Sequence, residues 1–196
     1  MGTNIFQEEI AFQPKDQYHT LRHFTYINEE YKKMLANMLG IDKLIFNSEL
    51  NKVGSKFNTK YFQSPLEVFN LINNSIPHKT VKQANGTIVN SYLFEESIFQ
   101  GGIGTDSIIE IDKLEIQQLS LIKKELRSGF LIKLLEIENL PITYELQVVL
   151  KSIKEQLNII TLFPGKYAPP FPNTKHKENS SKLFWESNCF LKFKMN

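Results

Sequence analysis

The texture of the chain changes near residue 78, and that change limits the fold more than any other feature. From His19 to Leu39 the apolar residues Leu21, Phe24, Ile27, Tyr31, Met34, Leu35, Met38 and Leu39 recur at three- and four-residue steps. This is the stripe of an amphipathic helix, with Gly40 as its left-handed terminator. A second helix is signalled at Ser64-Pro65-Leu66-Glu67, where Ser64 caps, Pro65 fits the first turn and Glu67 completes a capping box. Its buried face is read as Leu66, Phe69, Leu71, Ile72 and Ile76, ending before Pro77.

Beyond that point the signals are those of strands. Lys79–Ala84 and Thr87–Phe94 flank Asn85-Gly86, a strong hairpin signal because both residues tolerate positive φ. Ser107–Ile111 reads as a further strand, and Asp112-x-x-Glu115 as a capping box opening a helix through Arg127. Phe130–Ile137, Thr143–Ile153 and Asn158–Phe163 read as strands, the last two joined by a polar turn at Lys154-Glu155-Gln156. A long helix across 143–157 is the competing reading, but Val148, Val149, Ile153, Ile159, Ile160 and Thr161 favour strand. Four of the eight prolines fall within Pro164–Pro172, which predicts an extended, solvated segment. A last strand is expected within Lys182–Lys194, using Leu183, Trp185, Phe190 and Phe193. Helices first and strands after make an α+β protein, with N-terminal helices packed on a C-terminal twisted antiparallel sheet. The divisions are a lead-in at 1–17, one α+β domain at 18–163, and a Pro-rich segment with terminal strand at 164–196.

Composition removes whole classes. The 196 residues are 41% hydrophobic and 22% charged, which suits one packed core and excludes bulk disorder. No run reaches the ~18 apolar residues of a membrane helix, and MGTNIFQEEI lacks the features of a secretory signal. The expectation is no membrane, and either a cytoplasmic chain or delivery within a larger secreted polypeptide. Cys189, the single cysteine, excludes an internal disulfide and a Cys-based zinc site. The Asn-x-Ser/Thr patterns at Asn73, Asn85 and Asn179 read as chance. A net charge of +2 shows no broad nucleic-acid footprint, although Lys166, Lys175, His176 and Lys177 could form a local patch.

Few residues carry candidate chemistry. Gly101-Gly102-Ile103-Gly104 lacks the third glycine and the Lys-Ser/Thr of a phosphate loop, so it reads as a turn. His19 and His23 stand four apart, which puts both on one helix face. A zinc site would need a third ligand, and Arg22 between them opposes a metal. The same trio suits a phosphodiester, with an imidazole for proton transfer and a guanidinium for the anion. Two half-buried histidines at a helix start are the plainer reading. Thr161, at a strand end beside Phe163-Pro164-Gly165-Lys166, can offer its hydroxyl to a phosphate oxygen, or simply end a strand at proline. Alternation places Ile159, Thr161 and Phe163 on one face and Ile160 and Leu162 on the other.

In order along the chain, Tyr18-His19-Thr20-Leu21-Arg22-His23, then Ser55-Lys56-Phe57, then Thr161-Leu162-Phe163-Pro164 resemble the metal-independent RNase domains of bacterial polymorphic and contact-dependent inhibition toxins, the barnase–EndoU–colicin–RelE-like group. That group's pattern runs His-x-x-x-x-His, Ser-x-Phe, Thr-x-Tyr/Phe-Pro. Here the histidines are one residue closer, and Phe163 stands where many members have Tyr. The resemblance implies an endoribonuclease that cleaves RNA through its own 2′-OH, without metal or other cofactor, and a cognate immunity protein as partner. It implies His23 as base, His19 as acid or substrate anchor, and Thr161, Lys166, Arg22, Ser55 and Phe163 around the phosphate. A binding or immunity-type interaction domain with no chemistry is the alternative.

Overall fold

The computed structural model describes residues 10–50, 53–127, 129–172 and 179–193. Lys175, His176 and Lys177, expected as part of a basic patch, lie outside them, as does Lys194. The protein is α+β: helices occupy most of the N-terminal third, and strands dominate the rest. The helices are α1 (Pro14–Thr20), α2 (Glu29–Leu39), α3 (Lys43–Glu49), α4 (Pro65–Asn73), the four-residue α5 (Ile116–Leu119) and α6 (Asn179–Ser187). Two sheets carry the fold. The first is wholly antiparallel and joins β1 (Lys79–Lys82), β2 (Thr87–Leu93), β8 (Glu145–Ile153) and β9 (Gln156–Pro164) in that order. The second runs β4 (Ile108–Glu110), β10 (Asn188–Phe193), β6 (Phe130–Ile137), β5 (Lys123–Arg127). It is mixed rather than antiparallel, because β10 lies parallel to β6. A two-stranded ladder of β3 (Gly104–Thr105) and β7 (Ile142–Thr143) completes the set.

The helix expected over His19–Leu39 is broken. α1 already starts at Pro14, runs into a 3-10 turn at Leu21–His23, and the chain is extended at Phe24. The Asn28 side chain then accepts from the Glu30 and Tyr31 amides and starts α2 afresh. The break seats Phe24 and Ile27, both fully buried, deeper in the core than one straight stripe allows. Gly40 terminates α2 at φ 67°, as expected. α3, capped by Asp42, was not anticipated. In α4 the capping box of Ser64 and Glu67 forms, but Val68 takes the most buried position and Ile76 is exposed.

Two expectations after residue 110 fail. No helix runs from Asp112 to Arg127: Glu115 pairs with Gln118 to cap α5 alone, and Lys123–Arg127 is an edge strand. Ile116, Leu119, Leu121 and Leu126 are exposed, so a helix there had no core face to bury, whereas β5 gains a full ladder with β6. The proline-rich segment is not simply solvated either. Ala168 and Phe171 pack on Ile108, Ile132 and Trp185. The Pro169 and Pro170 carbonyls accept from Trp185 Nε1 and Ser181 Oγ. Leu183 and Trp185, expected in the last strand, are in α6 instead.

The main core lies between the helices and the first sheet, where Leu21, Phe24, Leu35, Phe46, Val68 and Ile72 meet Leu146, Val148, Leu150, Ile159 and Leu162. Leu135, Cys189 and Leu191 form a separate core in the second sheet. No helix among the described residues is long and apolar enough to cross a membrane.

Candidate active-site cleft

The opening helical segment, β9, and the β4–β10 edge enclose a cleft of about 450 Å³. His19, Arg22 and His23 line it from α1 and the 3-10 turn, Ser55 from the following loop, Thr161 and Phe163 from β9, and Lys166 from the turn beyond. Sequence reasoning had singled out these same seven residues, and the fold gathers them across more than 140 positions of chain. It missed Ser107, Ile108 and Phe190, which line the cleft together with Val53, Ile160 and Ala168. Ser107–Ile111 and the stretch holding Phe190 were legible as strands, but nothing in them signalled a site.

A β-bulge aims the β9 residues. The pairing of β8 with β9 shifts between Val149 and Leu150: Val149 faces Thr161, but Leu150 faces Ile159. Ile160 is the extra residue. Strict alternation therefore fails here, and Ile159 turns into the main core while Ile160, Thr161 and Phe163 line the cleft. The Thr161 hydroxyl makes no hydrogen bond to the described residues, so it is available to a ligand.

His23 and His19 differ sharply. His23 is buried, stacks on Phe163 at 5.3 Å, and its Nδ1 lies 3.1 Å from the Ser55 carbonyl and 2.9 Å from Ser55 Oγ. A carbonyl only accepts, so the proton sits on Nδ1 and the lone pair on Nε2. Burial pushes the His23 pKa down to about 3, reinforced by Lys56 and Arg22. This setting favours the neutral ring. It is a neutral, fixed acceptor, too weakly basic to hold a proton at neutral pH. His19, on the last turn of α1, is exposed.

The cations are tethered. Arg22 Nη2 stands 3.7 Å from Glu49 Oε2, and the Tyr18 hydroxyl donates to Glu49 Oε1. Arg22 Nε, however, is buried with no hydrogen-bond partner among the described residues. A buried donor left open carries a desolvation cost within the fold. Lys166 Nζ is paired with Glu110, whose carboxyl is held down to about 2 by Lys113 and Lys166. Lys166 therefore does not stand as the free phosphate cation expected of it. Its backbone amide donates to Asp106 Oδ2, and burial raises the Asp106 carboxyl to about 6. Lys56 Nζ donates to the Arg22 carbonyl at 2.6 Å, while the Phe57 amide donates to the His23 carbonyl at 2.7 Å. Ser55-Lys56-Phe57 thus locks the 3-10 turn in place.

The glycine run serves close packing. Gly101 and Gly102 have positive φ, and a Cβ on Gly104 would meet the Lys56 carbonyl at 2.2 Å. Among the described residues no three His, Cys, Asp or Glu side chains converge on a common point where a metal would fit. No protein-family model matches the chain, and neither does any curated protein or any solved structure.

Proposed function

We propose that this protein is an endoribonuclease that cleaves RNA through the substrate's 2′-OH. The observation that carries the proposal is one cleft lined by the exposed imidazole of His19, the half-exposed guanidinium of Arg22 and the unengaged hydroxyl of Thr161. In this reaction the His19 imidazole removes the 2′-OH proton, the 2′-oxygen bonds to phosphorus, and the bond to the 5′-oxygen breaks. The leaving oxygen takes a proton from solvent, and a 2′,3′-cyclic phosphate remains. Neutral His23 walls the cleft beside the 2′-OH, while the half-exposed Arg22 guanidinium and Thr161 Oγ1 donate to the phosphorane oxygens, where each donor typically contributes about 3 kcal/mol. Phe163 holds the His23 ring by stacking, and Ser55 holds its tautomer. An enzyme of this kind in a toxin would be matched by an immunity protein filling the cleft with acidic side chains.

The test is incubation of the purified protein with total RNA in EDTA, followed by mapping of the ends. Cyclic phosphate ends are expected, and His19→Ala should lower the rate by at least about a hundredfold. Unchanged cleavage in His19→Ala, or intact RNA with the native protein, overturns the reading. The second reading is a binding module without chemistry. The ion pairs of Arg22 with Glu49 and of Lys166 with Glu110 favour it, since both already satisfy the charges a phosphate would use.

A further inference from the structure

A second cleft of about 350 Å³ opens beside the first and is lined by Lys79, Gln83, Ser91, Gln147, Tyr167 and Phe184, among others. Lys166 lines both clefts. Strand register makes them parts of one surface. Lys79 lies opposite Ser91, Ser91 opposite Gln147, and Gln147 opposite Phe163, which places all four on the same face of the first sheet. The neighbouring row, Val81, Val89, Val149 and Thr161, follows the same register. The second cleft holds the β1 to β8 part of these rows, and the first cleft holds Phe163 and Thr161 on β9. The opposite face of the sheet, with Tyr92, Leu146, Val148 and Leu162, is closed by the main core. At ~4.8 Å between strands, the groove crosses about 14 Å of sheet from β1 to β9.

We infer that this groove binds a single-stranded polynucleotide, with the scissile phosphate by Thr161 and a neighbouring nucleobase in the second cleft. The inference rests on the ribonuclease reading for the position of the phosphate. The second cleft has the chemistry a base requires: two aromatic rings for stacking, Tyr167 and Phe184, and the half-buried Gln83 amide at its rim, above a floor formed by the fully buried Gln147. The amides are held in place. Gln83 Nε2 donates to the Tyr167 hydroxyl at 2.6 Å, Ser91 Oγ donates to Gln147 Oε1 at 2.7 Å, and Gln147 Nε2 donates to Glu145 Oε1 and the Gly165 carbonyl, each at 3.0 Å. Lys79 supplies charge at one end of the path, while Lys166 at the junction is shared with Glu110. The Gly165 carbonyl belongs to the turn that carries Lys166, so the second cleft is braced against the first.

The experiment measures binding of 2′-O-methyl oligoribonucleotides, whose nucleophile is blocked, by fluorescence anisotropy. Dinucleotides and hexanucleotides are compared in the native protein, Tyr167→Ala and Lys79→Glu. The native protein should bind the hexamer at least tenfold tighter than the dimer. Tyr167→Ala should remove about tenfold of hexamer affinity, the loss expected for one stacked base. Lys79→Glu, at an exposed edge position, should weaken hexamer binding and reduce its salt dependence with the fold intact. Equal affinity for both lengths, or hexamer binding unaltered in both variants, overturns the inference. Cleavage is read separately on unmodified RNA. Tight hexamer binding without cleavage retains the groove and sinks the ribonuclease, whereas cleavage without length dependence does the reverse.

Discussion

His23 illustrates how a site residue changes meaning once its surroundings are known. Its letter and spacing allow a base, but the ring is buried, stacked and bonded through Nδ1, so its neutral form is part of the fold. Its folded pKa of about 3 lies below the unfolded value near 6.5, so the unfolded chain binds the proton first. This group's stabilisation is complete above pH ~6.5 and is lost as pH falls toward 3. Asp106 works in the opposite sense between its unfolded value near 3.8 and about 6, because its raised pKa favours folding at the acid end. Urea unfolding at pH 7 and at about pH 4.5 should therefore show a smaller acid loss in His23→Asn than in the native protein. The difference should approach 3 kcal/mol at most; equal losses would show that His23 is not the group concerned. Gly165 makes a second point. Its φ is 99°, and a Cβ there would come within 2.6 Å of Asp106 Oδ1. Gly165→Ala should break the Asp106 contact that seats Lys166 and lower the unfolding midpoint, a change readable in a thermal melt alongside the native protein.

At the scale of elements, turn chemistry and strand register settle differences that local letters leave open. Asn85-Gly86 does mark the β1–β2 hairpin, but only Gly86 adopts positive φ, and the loop closes through Gly86 N to the Gln83 carbonyl. The two-residue turn with both residues at positive φ is Lys154-Glu155, at 52° and 65°, between paired Ile153 and Gln156. Non-glycine residues are strained there, and the β8–β9 ladder holds them in place. Replacing them by Asn-Gly should stabilise the protein by about 1 kcal/mol, seen as a higher urea midpoint with an unchanged slope. An unchanged midpoint would mean that the turn bears no strain. The failed helix at 112–127 has the same cause in reverse: the box read at Asp112-x-x-Glu115 gives way to one of Glu115 with Gln118 over four residues, and β6 offers the residues that follow a ladder.

Across the whole molecule, the late chain closes the cleft. β10 enters between β4 and β6, and the Leu191 amide donates to the Ser107 carbonyl at 2.7 Å. Phe190 thereby reaches the cleft wall while Leu191 fills the second core. Leu191→Ala should cost about 2–5 kcal/mol in chemical denaturation, the range for a large-to-small change in a packed core. A loss under ~1 kcal/mol would show that β10 is not integral to the sheet.

Local chemistry was enough for the α+β order, the capped helix at Ser64, the Gly40 stop, the strands at 79–94 and 143–163, and His19, Arg22, His23, Thr161 and Lys166 as candidates for the cleft, with Ser55 and Phe163 added by the resemblance. The structural features depend on residues near one another in the chain, and the candidate side chains on residue types that suit a phosphate. Only the tertiary structure decided the break at Phe24, the bulge at Ile160, the parallel insertion of β10, the neutrality of His23 and the ion pairs on Arg22 and Lys166. Each of these follows from burial or from a partner far away in the chain, and neither is encoded in the spacing of neighbouring residues.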